Sequence, residues 1–355
     1  MQSDTQRNCQ PGISLDVWSL TDFLLKTRLM QALEAGVSRY PVHRTLRFAA
    51  RREQEALFDD FALNLGWAAQ RVGAHTVILD APGLFITAEG SRKADYCSCR
   101  FNIWAESIDR AETAKQKVLS LVEAQRIREP MFSIDWHFLT GKNELESASI
   151  EEMADDVLHD EAYPEIKGGV QDFVARYIAA PETVLVLQGP PGTGKTRLIR
   201  AILGALSRRN GGEAQALYTG DKRALENDEI YVKFITGYDD AFVVEDADHL
   251  LRPRAEGNEH LHRFLAIADG VVRAQGRKII FSTNLPNIGD LDDALIRPGR
   301  CFALIQAREL YWRETERLVA NLAGQQTQME RTLAALRAVN HETHALAAIY
   351  KALAA

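Results

Sequence analysis

Residues 189–196 read Gly189-Pro190-Pro191-Gly192-Thr193-Gly194-Lys195-Thr196, which matches the pattern G-x-x-x-x-G-K-[ST] of loops that bind nucleoside triphosphates. The apolar run 183–187 before it predicts a buried parallel strand, and the apolar spacing of 197–203 after it predicts a helix. Strand, loop and helix in this order are the context that the pattern requires. We therefore interpret residues 189–196 as a phosphate-binding loop rather than as a glycine-rich turn without a ligand.

Three kinds of group in this segment suit an anionic ligand. The glycines let backbone N–H groups turn inward toward a phosphate, and the N-terminus of the following helix adds the positive end of its dipole. Lys195 is expected to reach the β- and γ-phosphates, and Thr196 to bind Mg²⁺. The predicted contacts to the nucleotide come from residues 189–196 and from Arg197, the next residue of the helix.

The length and composition are those of an ordinary globular chain. Its 355 residues, 46% hydrophobic and 26% charged, suffice for about two domains. The formal net charge of −7 argues against a general affinity for nucleic acid. No apolar run approaches the roughly 18 residues that span a bilayer, and residues 1–11 lack the apolar stretch of a signal peptide. We expect a cytoplasmic protein without a membrane partner.

Two of the four cysteines, Cys97 and Cys99, form a C-x-C pair that could indicate a metal site. Period-two alternation, however, places both thiols on one strand face with Phe101 and Ile103, which is a core face. No second Cys/His pair stands at zinc spacing. We therefore interpret Cys97 and Cys99 as buried reduced thiols.

The first part of the chain predicts an α+β domain over residues 1–150. Helical periodicity covers 15–35 and 48–72, whereas Pro82-Gly83 marks a turn between two short strands. Residues 132–138 alternate cleanly and predict a half-buried strand. Residues 151–165, which are rich in Asp and Glu, predict an acidic linker with a helical piece.

Residues 166–307 alternate strand and helix patterns, which predicts a doubly wound α/β domain with a parallel sheet and helices on both faces. The predicted strands lie at 183–187, 214–218, 241–246, 278–283 and 302–306. Residues 308–355 carry helical patterns without a strand signal and predict a short C-terminal helical lid.

Two acids end the predicted strand at 241–246. The run Phe242-Val243-Val244 is followed by Glu245 and Asp246, and carboxylates at the carboxyl end of such a strand can face a nucleotide. One of them would hold the hydration shell of Mg²⁺, and its neighbour would polarise the attacking water as general base. Strands often end in acids at a solvated rim, so this pattern gains its meaning from the loop at 189–196.

A polar residue and two arginines follow further along the chain. Asn284 ends the next predicted strand, where it can orient the same water or contact the γ-phosphate. Arg297 and Arg300 lie at an exposed helix end, in the segment Ala294-Leu295-Ile296-Arg297-Pro298-Gly299-Arg300. This placement suits insertion into a neighbouring subunit's site, where the guanidinium groups would stabilise charge on a transferring phosphoryl group. The alternative interpretation is a pair of surface arginines.

Together these residues resemble the AAA family of oligomeric ATPases, within the larger AAA+ superfamily. The resemblance covers about residues 163–306, and the box at 294–300 is nearly diagnostic of the AAA family. It implies ATP as the nucleotide and a homo-oligomeric ring, usually a hexamer. It also implies roles for Gly192, Gly194, Lys195 and Thr196 at the phosphates and Mg²⁺, Glu245 at Mg²⁺, Asp246 as the catalytic acidic residue, Asn284 as sensor, and Arg297 and Arg300 as fingers acting in trans.

Two features depart from the usual family pattern. The acidic pair commonly runs Asp then Glu, whereas this chain has Glu245 then Asp246; that order resembles the mitochondrial inner-membrane AAA ATPases that assemble respiratory complex III by translocating a folded Rieske protein. Residues 219–240 lack the aromatic–apolar–Gly pore loop of typical unfoldases. We interpret Tyr231 and Phe234 in this segment as helix core rather than as residues that grip a client.

Three functions remain open from the sequence. The first is a Mg²⁺-dependent ring ATPase that remodels or translocates a protein client recognised by the N-terminal domain. The second is an assembly or signalling module whose ATP state sets oligomerisation, with slow turnover. The third is a nucleic-acid-stimulated ATPase, supported only by Arg44, Arg47, Arg51 and Arg52 on a predicted helix face, which we interpret as a solvated face.

Overall fold

The computed structural model describes residues 40–355 except 73–74, 93–95, 142–143, 155–156, 211–212, 254–259 and 270–275, together with positions 23, 26, 27, 30 and 31. Most of the predicted helix at 15–35 therefore lies outside the described residues. The chain divides between Arg128 and Glu129 into two compact units. Within the described part of the chain, no helix is long and apolar enough to cross a bilayer.

In its described residues from Tyr40 onward, the first unit is an antiparallel sheet packed against two helices. Its elements in chain order are β1 (Val42–Ala50), α1 (Gln54–Asn64), β2 (Ala68–Val72), β3 (Thr76–Ala81), β4 (Leu84–Arg92), β5 (Cys97–Ala105), α2 (Ile108–Val122) and β6 (Arg126–Ile127). The strand order across the sheet is β2-β3-β4-β5-β1-β6. Phe61 of α1 and Val118 of α2 are fully buried against Phe101 of β5. The expected α+β class is confirmed, and Pro82-Gly83 is the turn between β3 and β4.

The prediction of a helix over 48–72 is wrong at both ends, since residues 42–50 form β1 and residues 68–72 form β2. This strand pairs with β5 along its whole length, and such pairing outweighs a local helical spacing. Arg44 and Arg47 lie three residues apart on a strand, so their side chains point to opposite faces. Arg52 forms an ion pair with Asp60 of α1. The shared arginine face on a helix does not exist.

The interpretation of Cys97 and Cys99 as core thiols is confirmed. Both are free cysteines, and both are buried. They pack in one cluster with Phe101 and Ile103, the residues that share their face of β5.

The second unit is built on a larger sheet with helices on both faces. Its elements in chain order are β7 (Met131–Leu139), β8 (Leu145–Met153), α3 (Val170–Ala179), β9 (Val184–Gln188), α4 (Lys195–Arg209), β10 (Glu213–Thr219), α5 (Lys222–Glu226), α6 (Asp228–Thr236), β11 (Ala241–Val244), α7 (Asp248–Leu251), α8 (Leu261–Asp269), β12 (Lys278–Thr283), β13 (Cys301–Gln306), β14 (Leu310–Tyr311), α9 (Trp312–Leu322), α10 (Gln326–Val339), β15 (Thr343–His344) and α11 (Leu346–Ala354). The five predicted strands correspond to β9 to β13.

The strand order in this sheet is β13-β9-β12-β11-β10-β7-β8, and every neighbouring pair except β7 with β8 is parallel. The carboxyl ends of β9 to β13 therefore meet at one edge. The chain leaves β9 through α4 and reaches β10, which lies beyond β12 and β11 in the sheet. The strand order therefore reverses at β9, and such a reversal opens a crevice at the carboxyl end of the strand. Helices α3 and α4 cover one face and α5 to α8 the other, so the doubly wound α/β class is confirmed.

The predicted domain boundary at residue 150 differs from the division in the structure. Strand β7 pairs in parallel with β10, and β8 pairs with β7, so both belong to the sheet of the second unit. The acidic segment 151–165 is also more than a linker, since β8 runs to Met153. Alternation at 132–138 correctly predicted a strand, but alternation carries no information about the sheet that a strand joins.

The lid consists of α9, α10 and α11, with one addition to the prediction. Residues 308–355 were expected to lack strands, yet β14 and β15 form a two-residue antiparallel pair in which Leu310 lies opposite His344. Leu318, Leu336 and Ile349 of the three helices are buried in the same core as α3 and α4. The lid therefore packs on the helical layer that carries the phosphate-binding loop.

Candidate nucleotide site

The loop at 189–196 follows β9 directly and leads into α4, as predicted. Gly192 and Gly194 have φ angles of 80° and 90°, in the left-handed region that glycine adopts without strain. Gly194 immediately precedes the first residue of α4. The Tyr163 hydroxyl donates to the Gly194 carbonyl at 3.1 Å, and the Ala347 N–H donates to the Gly192 carbonyl at 3.0 Å. The loop is thus held in place from both sides.

Gly189 lies where no side chain fits, so we expect Gly189→Ala to destabilise the protein. Its φ is 148°, and an added Cβ would lie 1.9 Å from the carbonyl oxygen of Ala307. Backbone strain and displacement of Ala307 should lower the free energy of unfolding by about 2–4 kcal/mol. Thermal unfolding measures this loss. Gly324→Ala is the matched control, because Gly324 has open space around it; an equal effect of both substitutions would contradict the steric argument.

Lys195 is nearly buried at the centre of the site. Its ammonium group donates to the carbonyl oxygens of Gly189 at 2.6 Å and Pro190 at 3.0 Å, and to Asn284 Oδ1 at 3.0 Å. Burial lowers the pKa of Lys195, while the carboxylates of Asp246, Asp248 and Glu245 oppose that shift. The Lys195 ammonium therefore faces three carboxylates, so a divalent cation would reduce the repulsion between these acids and an entering triphosphate.

Thr196 and Glu245 meet at the mouth of the site. The Thr196 hydroxyl donates to Glu245 Oε1 at 2.6 Å. The Tyr218 hydroxyl donates to the other carboxylate oxygen, Oε2, also at 2.6 Å. A hydroxyl and a carboxylate are the hard oxygen donors that Mg²⁺ prefers, so this pair fits the cation that the loop implies.

Asp246 and Asn284 form a second polar pair beside the first. The Asn284 amide donates from Nδ2 to Asp246 Oδ1 at 2.9 Å, while its Oδ1 accepts from Lys195. Asp248 fixes the end of β12, because its Oδ1 accepts from the Thr283 hydroxyl at 2.6 Å and from the Asn284 N–H at 2.8 Å. Asn284 is therefore tied to both the loop and the acidic strand end.

The backbone at Asp246 explains the type of residue found there. Among the described residues, Asp246 is the one non-glycine with a positive φ, at 50°. Asp and Asn adopt this left-handed conformation several-fold more often than other side chains. The order Glu245-Asp246 therefore places an aspartate, which tolerates a positive φ, at residue 246, where the backbone has one.

These residues surround a cavity of about 500 Å³. Its lining includes the predicted residues Pro191, Gly192, Gly194, Lys195, Thr196, Arg197, Glu245, Asp246 and Asn284, and also Ser282, Leu346, Ala347 and Tyr350. Arg197 lies over the ring of Tyr350 at 4.3 Å from its centroid, so α4 and the lid helix α11 meet across the cavity. Gly189, Pro190 and Thr193 belong to the loop but do not line the cavity, and the Thr193 hydroxyl donates to the Pro190 carbonyl at 2.8 Å. Glycine amides, a buried ammonium and oxygen donors in one cavity fit a nucleoside triphosphate with Mg²⁺.

Arg297 and Arg300 lie away from this cavity, and the expected helix end is wrong, since residues 291–300 form turns and bends. Arg300 is the residue before β13, and its carbonyl accepts from the Val184 N–H at 3.2 Å, at the start of β9. The loop begins at the other end of β9, about 16 Å away at the usual rise per strand residue. The Arg300 guanidinium donates to the Ala294 carbonyl, and Arg297 is exposed. The structure thus does not bring these arginines to the phosphate loop of their own chain.

Several residues of the site were not predicted from the sequence. Tyr218, Ser282 and Asp248 stand at or just beyond strand ends beside predicted residues, and that placement was the available signal. Tyr163, Leu346, Ala347 and Tyr350 come from segments remote in sequence, for which no local pattern exists. Tyr231 and Phe234, in contrast, were interpreted correctly as core, since both are buried in the cluster beneath α6.

Comparison with known proteins agrees with this geometry. Residues 185–309 match the family described as ATPase family associated with various cellular activities (AAA). Peroxisomal ATPase PEX6 of Homo sapiens is 26% identical over 225 residues, covering 60% of this chain and 21% of PEX6. The 26S proteasome regulatory subunit 6B homolog of Aspergillus niger is 32% identical over 152 residues, covering 39% of this chain and 35% of that protein.

ATP-dependent zinc metalloprotease FtsH 1 of Rhodopirellula baltica is 33% identical over 135 residues, covering 34% of this chain and 19% of the metalloprotease. The chain therefore spans about a fifth of the length of PEX6 and of FtsH 1, and about a third of the proteasome subunit. The residues that match the family model, 185–309, include the loop at 189–196, the acidic strand end and the arginine box at 294–300. Residues 185–309 of this chain are accordingly similar to the ATPase domains of the AAA family.

Proposed function

We propose that the chain hydrolyses ATP with Mg²⁺ in a ring of identical subunits and uses the energy to remodel or translocate a protein client. One observation carries the proposal: the loop, Glu245, Asp246 and Asn284 share a cavity, whereas Arg297 and Arg300 lie at the opposite edge of the sheet. A head-to-tail ring brings one surface of a subunit against a different surface of its neighbour. Such a ring would bring Arg297 and Arg300 of one subunit to the cavity of its neighbour.

In the proposed binding step, the loop amides and Lys195 hold the phosphates of ATP. Lys195 exchanges its contacts to Gly189, Pro190 and Asn284 for phosphate oxygens, which frees Asn284 Oδ1 to accept a hydrogen bond from the attacking water. Thr196 and Glu245 would hold Mg²⁺, Glu245 partly through water. Bound Mg²⁺ supplies the charge neutralisation that phosphoryl transfer requires.

In the proposed hydrolysis step, Asp246 accepts a proton from the attacking water as general base. Asn284 donates to Asp246 Oδ1 and so fixes the orientation of that carboxylate toward the cavity. Arg297 and Arg300 of a neighbouring subunit stabilise the charge that develops on the γ-phosphoryl group.

We expect Asp246→Asn to retain ATP and to lose hydrolysis. Asparagine keeps the size of the side chain and adopts positive φ readily, so the strained turn is preserved while the base is removed. General-base removal should reduce the turnover number about 100-fold or more. Steady-state phosphate release and binding of a ribose-labelled fluorescent ATP analogue measure the two properties separately.

Asp293→Asn is the matched control, because Asp293 is exposed and does not line the cavity. It should hydrolyse ATP at the wild-type rate. Asp246→Asn that turns over ATP as fast as wild type would contradict the general-base assignment. Electron microscopy of Asp246→Asn with ATP then tests the ring and gives its subunit number.

A protein client is supported by the names of two relatives, a proteasome subunit and a metalloprotease. We assign its recognition to the first unit, which precedes the ATPase domain in the chain. The order Glu245-Asp246 is the single feature that supports the finer resemblance to the complex III assembly ATPases. A cytoplasmic location remains a prediction from composition.

A second candidate function is an assembly or signalling module in which ATP sets oligomerisation and turnover is slow. The burial of Tyr231 and Phe234 favours it, because the segment where unfoldases carry a gripping aromatic uses its aromatics as core. Turnover measured with and without candidate clients distinguishes the two functions. Client-stimulated hydrolysis supports remodelling, whereas slow, unresponsive hydrolysis with ATP-dependent assembly supports the module. The nucleic-acid alternative loses its support, since Arg44 and Arg47 point to opposite faces of β1.

A further inference from the structure

Tyr218 does not line the cavity, but its hydroxyl contacts Glu245, a residue that does. It is the second-last residue of β10 and lies beside β11, opposite Val243. Glu245 lies two residues after Val243, so its side chain is on the same face of the sheet as the side chain of Tyr218. The long phenol of Tyr218 can therefore reach the Glu245 carboxylate. The Tyr218 hydroxyl donates to Glu245 Oε2 at 2.6 Å. This distance is that of a charge-assisted hydrogen bond to an ionised carboxylate.

The ring of Tyr218 is itself held in place. On its other side β10 pairs with β7, and Tyr218 lies opposite Trp136. The two rings are nearly perpendicular, with centroids 5.4 Å apart, which is a favourable edge-to-face contact. Burial, and then the hydrogen bond to Glu245 and its charge, raise the pKa of Tyr218 above its ordinary value. The packing against Trp136 therefore holds the phenol where its hydroxyl reaches Glu245.

The length of the Glu245 side chain explains why a partner that fixes its carboxylate matters. A glutamate side chain has one more rotatable bond than an aspartate, so its carboxylate loses more conformational freedom when it is fixed. Tyr218 binds Oε2 and Thr196 binds Oε1, so each oxygen of Glu245 has its own hydroxyl partner. Thr196 is expected to turn to the cation, which leaves Tyr218 as the partner that keeps the carboxylate oriented.

We propose that Tyr218 is a positioning residue that orients the Glu245 carboxylate for the divalent cation and so sets the affinity of the site for Mg²⁺. This inference rests on the proposed function, because it assumes that Thr196 and Glu245 hold Mg²⁺. Tyr218 acts through Glu245 and touches neither nucleotide nor cation.

The test is Tyr218→Phe in the full chain, with a ribose-labelled fluorescent ATP analogue as the probe. Binding is measured first in EDTA and then in a Mg²⁺ titration, so the readout does not depend on turnover. Loss of an outer partner of a metal ligand typically weakens metal binding 10–100-fold. We expect the Mg²⁺ concentration at half-saturation to rise about tenfold, whereas analogue affinity in EDTA stays unchanged.

Tyr231→Phe is the matched control, since it removes a hydroxyl that donates to the Leu225 carbonyl at 2.7 Å within the same unit but away from the site. It should leave the Mg²⁺ titration unchanged. In a Glu245→Gln background, Tyr218→Phe should have little further effect, because both changes remove one interaction.

The outcomes separate this inference from the proposed function. A wild-type chain whose analogue binding does not respond to Mg²⁺ would overturn the Mg²⁺ assignment itself. A responsive wild type with an unchanged titration for Tyr218→Phe would overturn only the positioning role. Equal losses in EDTA and in Mg²⁺ would also overturn it, because they would show that the hydroxyl supports the whole site rather than Glu245.

Discussion

Replacing Lys195 with alanine is expected to abolish ATP binding. The Lys195 ammonium faces the carboxylates of Asp246, Asp248 and Glu245. Removing it takes away the direct donor to the phosphates and leaves those three acids to repel the triphosphate. Hydrogen bonds to charged groups contribute about 1.5–3 kcal/mol each, and the added repulsion makes a loss of 100-fold or more in affinity the expected result, or about 3 kcal/mol.

The affinity of the fluorescent ATP analogue measures this effect, and two further variants isolate its cause. Lys195→Met keeps most of the apolar stem and should lose binding as fully as Lys195→Ala, because the charge is what matters. Lys222→Ala removes an exposed lysine of α5 and should bind as wild type does. Thermal unfolding without nucleotide shows whether each variant is folded. Binding by folded Lys195→Ala at close to wild-type affinity would contradict the interpretation of residues 189–196.

The site could be predicted largely from the sequence, because parallel strands bring their carboxyl ends together. Once 183–187, 241–246 and 278–283 were recognised as strands of one sheet, the residues that follow them had to converge at one edge. Lys195, Glu245 and Asn284 do so, within hydrogen-bond distance of their partners. Local pattern and sheet direction together were sufficient for this part.

Other features could not be predicted, since they depend on pairing between remote segments. The addition of β7 and β8 to the sheet of the second unit depends on contacts between β7 and β10, which lie about 80 residues apart in the chain. The same pairing presents Trp136 to Tyr218 and so supports Glu245. The strand at 42–50 shows the converse case, because pairing with β5 decided its structure against a helical spacing.

The backbone at Asp246 gives a physical reason for the order Glu245-Asp246. In the sequence, the order Glu245-Asp246 is only a departure from the usual Asp–Glu order. The structure adds a positive φ at Asp246 and a phenol donor at Glu245. The shorter acid stands where the backbone turns sharply, and the longer acid stands where a tyrosine holds it.

Removal of Arg300 is expected to stop hydrolysis without loss of ATP binding. Arg300 lies at the start of β13, at the sheet edge opposite the cavity, so it does not contribute to binding in its own chain. An arginine that stabilises the transferring phosphoryl group accelerates hydrolysis about 10³–10⁵-fold in trans-acting systems. Arg300→Ala should therefore bind the analogue normally and hydrolyse ATP at least about 1,000-fold more slowly.

Mixing two inactive variants tests directly whether the arginine acts across a subunit boundary. Lys195→Ala retains Arg300 but lacks a working loop, and Arg300→Ala retains the loop but lacks the finger. In rings assembled at random from equal amounts, about a quarter of the interfaces pair an intact loop with an intact finger. If sites act independently, the mixture should recover about a quarter of the wild-type rate, whereas each variant alone stays inactive.

Two comparisons make the result decisive. Arg313→Ala, which removes an exposed arginine of α9, should keep the wild-type rate and shows that loss of a surface charge is not sufficient. Arg297→Ala distinguishes the two arginines, because Arg297 is exposed while Arg300 also donates to the Ala294 carbonyl. Mixed rings that form, as seen by copurification of differently tagged variants, but fail to regain activity would show that Arg300 acts within its own subunit. Recovery of activity on mixing would show that Arg300 acts across the subunit boundary, because neither variant alone contains both an intact loop and an intact Arg300.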